Sequence, residues 1–182
     1  MLYIPLAFIA GFLTKIADLY SERKRKSLAI SLPLGIIYGT AIGIVGLANT
    51  KLIPQMGGIL LGNTLAFKVD KLEHYLAAIT VLAFALYAGS LGATIDASIL
   101  IAFMISAFAD EKLHDYSTKE NKREGGVLGA RLVTPITALV FAYFEVSYFI
   151  SIVSYDCGYL FAEWAAGHQP NKKVYNNSFS NQ

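Results

Sequence analysis

Charged side chains in this chain are gathered into a few short blocks, and the stretches between those blocks carry none. Residues 28–50, 52–67, 75–95, 97–109 and 132–144 contain no Asp, Glu, Lys or Arg. A soluble domain needs polar surface to cover its core. A chain of 182 residues with 55% hydrophobic residues, 15% charged residues and a mean hydropathy of +0.50 does not supply it. Uncharged apolar runs of this length predict membrane spans instead. Backbone amides cannot go unpaired in hydrocarbon, so the spans must be helices; the alternation that a membrane β-barrel requires is absent.

The expected fold is therefore all-α, a polytopic membrane helical bundle. Six spans are read, at roughly Leu2–Ala17, Leu28–Ala48, Leu52–Phe67, Tyr75–Ala93, Ile95–Ala109 and Leu128–Ile150, grouped as three helical hairpins. The stretch Leu132–Ala166 is too long for one upright span and short for two. Six spans are favoured and seven is the alternative, the seventh returning Lys172 and Lys173 to the first side. Residues 1–167 form a single transmembrane domain, and 168–182 form a polar, flexible tail. The first segment lacks a basic leader and a small-residue cleavage site before SERKRK, so no cleavable signal peptide is expected.

Orientation follows from the basic residues. Arg23, Lys24, Arg25 and Lys26 follow the first span, Lys68 and Lys71 the third, and Lys112, Lys119, Lys122 and Arg123 the fifth; the opposite loops carry essentially only Lys51. The positive-inside rule places the loops after spans one, three and five in the cytoplasm of a cell-membrane protein, with the N-terminus outside. A net charge of +2, with its basic residues beside spans rather than in a stripe, argues against nucleic acid as a partner. The single cysteine, Cys157, excludes an intrachain disulfide and a Cys-based zinc site.

The ends of the odd-numbered spans repeat one another. They read KIADLYSE, FKVDKLEHY and FADEKLHDY, and aligning Asp18, Asp70 and Asp110 puts Glu22, His74 and His114 four residues on. Glu73, Glu111 and Asp115 add further carboxylates. On a continuing helix, residues four apart lie one above the other. The apolar runs before the aspartates cover on the order of 20–27 Å at about 1.5 Å per residue, short of a core about 30 Å thick. Acids drawn to that depth are expected to face a bundle interior, a wet cavity or a cation. Asp18, Glu22, Asp70, Glu73, Asp110, Glu111 and Asp115 are thus candidate ligands of a divalent cation, magnesium by their oxygen donors. A helix end capped by interfacial ion pairs would leave the same pattern.

Three functions fit these residues. The leading expectation is a membrane-embedded, divalent-cation-dependent enzyme acting on a lipid or isoprenoid phosphate at the cytoplasmic face. In it His74 or His114 transfers the proton, and Lys15, Lys68 and Arg131 hold phosphate oxygens. The second is a cation or proton transporter using the same acids, with Glu145 and Asn63 continuing the path inside the spans. The third is a non-catalytic subunit of a membrane complex, so homo- or hetero-oligomers and membrane lipids are the partners to consider. No glycine-rich phosphate loop, GxSxG or HExxH motif is present.

Overall fold

A computed structural model describes residues 2–22, 28–121 and 131–166. The basic residues 23–26, Lys122, Arg123 and the tail 168–182 lie outside them, as do the side chains of Glu22 and Lys119. The described residues are all-α, with no strand. The helices are α1 (Tyr3–Glu22), α2 (Leu28–Ala48), α3 (Ile53–Leu65), α4 (Leu72–Ser90), α5 (Ala97–Asn121), α6 (Val133–Phe141) and α7 (Ser147–Ala165). Three of them are long and apolar enough to cross a membrane: Tyr3–Ser21, Ala29–Ala48 and Leu72–Ser90.

Local chemistry sets the ends. Asn49 accepts from the Lys51 amide and opens a 3-10 turn, Thr50–Leu52, after which Pro54 sits in the first turn of α3, where a missing amide proton costs little. Gly92, at φ +92°, ends α4 in a conformation that L residues seldom adopt. Asp96 then takes the Ser98 amide at 2.9 Å and the Ile99 amide at 3.3 Å, capping α5. The Ser98 hydrogen bond holds the Asp96 carboxyl below the usual carboxylate range.

The packing corrects the hairpin grouping. α1 does pack on α2, but α3 and α4 barely touch; the closest partners are α1 with α7, α2 with α4, and α3 with α5. Each of these pairs runs parallel. Gly35 and Gly39 of α2 meet Glu73 and Ala77 of α4 in the same order, and Gly58 and Gly62 of α3 meet Leu100 and Met104 of α5 likewise. On α1, Gly11 lies against Tyr155 of α7, and Gly158 lies against Phe8; a Cβ on either glycine would stand 2.0 Å from a backbone oxygen. Small residues permit this approach, and the small-residue face of α2 is spent on it.

The expected single helix over Leu128–Ile150 is also corrected, because the chain turns at residues 142–146 between α6 and α7. Glu145 anchors that turn. Its carboxylate takes Lys51 Nζ at 2.6 Å and the Ser147 hydroxyl at 2.9 Å.

The interior is small and the exterior large. Ala7, Ala10, Ala17, Ala41, Ala77, Ala107, Ala138 and Ala162 are buried, while Ile9, Ile37, Ile79, Leu86, Ile105, Leu139 and Leu160 are exposed. Water would penalise such an arrangement, and hydrocarbon would not. A central apolar cluster of Val45, Leu52, Phe103, Ala138 and Tyr148 separates the Lys51–Glu145 end from the end that carries the repeated motifs.

Candidate functional site

Two polar clusters lie at the motif-bearing end. The first joins the first and second motifs. His74, in the opening turn of α4, points Nε2 at Asp18 Oδ1 of α1, 3.2 Å away, and Nδ1 at the Tyr38 hydroxyl of α2, 2.7 Å away. A carboxylate only accepts, so a neutral His74 carries its proton on Nε2 and receives the Tyr38 O–H on Nδ1. Tyr159 of α7 donates to the other oxygen, Asp18 Oδ2, at 3.1 Å. Lys15 donates to the Tyr159 hydroxyl at 3.4 Å and lies 3.5 Å from Glu163. Lys71 donates to Ser21 at 2.9 Å, tying the start of α4 to the end of α1.

Glu73 lies beside this chain. Its side chain is 2% exposed, and Oε1 has no hydrogen-bond donor. Leaving such an oxygen dry is costly. The close approach of Gly35 to the Glu73 backbone is what brings α2 and α4 near enough to enclose it.

The second cluster gathers the third motif. Asp110, buried on α5, accepts the Val133 amide at 2.8 Å and the Thr134 amide at 2.7 Å, so both its oxygens cap α6. Glu111 Oε2 lies 3.1 Å from Arg131 Nη2 and 3.8 Å from Lys68 Nζ. Lys68 also reaches Asp115, 2.5 Å away, and this hydrogen bond holds the Asp115 carboxyl below the usual range. α7 packs on α1, which carries Asp18, and on α6, which Asp110 caps, and so touches an element of each cluster.

The three motif aspartates therefore take three different surroundings. Asp18 meets His74, Asp110 caps a helix, and Asp70 is exposed in the loop between α3 and α4. Among the described residues, no group of three or more His, Cys, Asp or Glu side chains is arranged to hold a metal. His114 is half-buried on α5, with the Ser117 hydroxyl on its carbonyl. Asn63 is half-buried on α3, and its carbonyl receives the Lys68 amide at 2.9 Å. Glu145 is not a lone carboxylate inside a span: it sits in the α6–α7 turn at the far end, paired with Lys51, whose hydrogen bond holds its carboxyl low.

Sequence reasoning did not assign Tyr38, Tyr159 or Asp156 to a site. The signal for Tyr38 was its hydroxyl, the one phenol within the uncharged glycine-rich α2, since buried phenols find hydrogen-bond partners. Tyr155 and Tyr159 are four apart on α7 and share a face. No protein-family model matches the sequence, and no match was found to a curated protein or to a solved structure.

Proposed function

We propose that this chain is a membrane-embedded enzyme acting on a lipid or isoprenoid phosphate at the cytoplasmic face, with Asp18 and His74 as its acid–base couple. The observation that carries the reading is the contact of His74 Nε2 with Asp18 at 3.2 Å, flanked by the Tyr38–His74 and Tyr159–Asp18 hydrogen bonds. It sets an imidazole, a group that can both give and take a proton, against a carboxylate. Lys15, Lys68 and Arg131 stand at the same end to meet phosphate oxygens.

All seven helices enter the bilayer in this proposal. Exposed large apolar side chains on α3, α5, α6 and α7 support it. The N-terminus lies outside and the motifs lie inside. Because α7 runs parallel to α1, its end at Ala165 also falls on the cytoplasmic side, and Lys172 and Lys173 follow it in the sequence, in keeping with the positive-inside rule.

The divalent cation, magnesium by the donor chemistry, would arrive with the substrate's phosphate. Magnesium commonly binds through one or two carboxylates plus phosphate. Asp70, exposed between Lys68 and Lys71, is placed to share it. The cation would neutralise the phosphate while His74 moves the proton.

The same series of polar contacts could relay protons for transport, but it ends against Leu13, Leu34 and Ile42, and the apolar cluster around Phe103 lies beyond. That arrangement favours chemistry at one face over passage between faces. The test is turnover of phosphorylated lipids in nanodiscs with magnesium. His74→Asn and Asp18→Asn are expected to lower kcat by about 10²-fold or more. Unchanged turnover in both variants sinks the reading, and a proton flux in proteoliposomes abolished by the same variants replaces it with transport.

A further inference from the structure

Lys68 and Arg131 come from different loops, and both are delivered by unusual backbone. Phe67, immediately before Lys68, has φ 62°, and Arg131 itself has φ 48°. Non-glycine residues hold the left-handed region only where the surroundings over-determine it, and such residues gather at functional sites. The two cations converge on one carboxylate oxygen, Glu111 Oε2. The exposures are graded: the Glu111 side chain is 8% exposed, Lys68 33% and Arg131 46%. The acid therefore sits behind and the cations reach outward. Asp115 touches the same ammonium from a more open position.

We propose that Lys68 and Arg131 form a seat for a phosphate monoester, and that Glu111 is the internal counter-ion filling it when no ligand is bound. The lipid identity of the ligand rests on the function proposed above; the seat does not. A guanidinium fork beside an ammonium suits a tetrahedral anion carrying more than one negative charge. Such an anion competes for both cations against a single carboxylate. Glu111 thus keeps the cations paired and aligned, and its charge opposes the ligand. Its assignment changes from metal ligand to counter-ion.

The roles predict opposite signs. Equilibrium titration of the full chain in nanodiscs uses inorganic phosphate and phosphatidic acid as separate probes. Arg131→Met is expected to weaken binding about tenfold or more, and Lys68→Met several-fold, since charge-assisted bonds are lost. Glu111→Gln is expected to tighten binding about tenfold, because a repelling charge is removed while the side-chain shape is kept. A purely structural Glu111 predicts weaker binding in that variant. Asp115→Asn, a change at a more open site, should tighten binding less and gives a second reading if Glu111→Gln does not fold. Unchanged binding in Arg131→Met, or no tightening in either acid variant, overturns the seat. Binding of phosphatidic acid but not of inorganic phosphate assigns the ligand to a lipid, and the reverse assigns it to a free phosphate. If the signs hold but no phosphorylated lipid is turned over, the enzyme reading falls and the seat stands.

Discussion

His74 illustrates what a residue in this bundle must satisfy, because each of its ring nitrogens faces a polar atom from a different helix. The motif spacing made Asp18 and His74 visible as candidates, yet their pairing was not legible: it joins the first repeat to the second through the α1–α2–α4 packing. Tyr38 was invisible for a related reason, since its role exists only once α2 lies on α4. Asp110 shows the opposite error. Its place in the repeat suggested a metal ligand, while the two amides of α6 take both of its oxygens. Asp110→Ala should cost about 1–2 kcal/mol locally, the scale of a lost cap. Hydrogen exchange at Val133 and Thr134 should quicken about tenfold or more, and unchanged exchange would show that the cap is idle. Asp115 carries a pH prediction. Lys68 depresses its folded carboxyl pKa, so its stabilising contribution is present above the unfolded value of about 3.9 and is lost as pH falls through the folded value. Wild-type Tm should therefore drop more steeply below about pH 4 than that of Asp115→Asn; parallel curves would contradict the assignment.

At the scale of helices, apolar patterning located most elements well. The observed α2 coincides with the expected span Leu28–Ala48, and α4 begins three residues before the expected Tyr75. The sixth span failed because no glycine or proline marks the turn at 142–146. The turn is held instead by Glu145 and Lys51, 94 positions apart, a pairing that no local window contains. Hairpin pairing held for α1 with α2 and failed for α3 with α4, since neighbours in sequence are only the default neighbours in space. The parallel seams give the test. Gly158→Leu drives a side chain into the Phe8 carbonyl and should separate α1 from α7, lowering Tm in detergent by several degrees or preventing folding. Gly89→Ala, at a glycine with nothing within 4 Å, should leave Tm within about a degree. Equal effects at the two positions would mean that the seam is not close-packed.

For the whole molecule, the exposed Ile, Leu and Phe side chains and the alanine-rich interior make a prediction about surroundings and sidedness. In a Cys157→Ser background, a cysteine replacing Asp70 should react with an impermeant maleimide only from the cytoplasmic side, and one replacing Thr50 only from the outside. Labelling of both from one side would overturn the topology. The parallel pairing of α1 with α7 reaches further than sidedness. Ser154 donates to the Ile4 carbonyl at 2.7 Å, a bond between residues 150 positions apart. During synthesis α1 is made well before α7, the helix that packs along it. Until then Gly11 lacks its neighbour Tyr155, and Asp18 lacks Tyr159. The packing of α1 on α2, α2 on α4 and α3 on α5 can form before then, whereas the seam between α1 and α7 can close only once α7 is present. A chain cut short before α7 would keep the contact of Asp18 with His74 and lose its cover by Tyr159, so the later helix decides how firmly the earlier one is held.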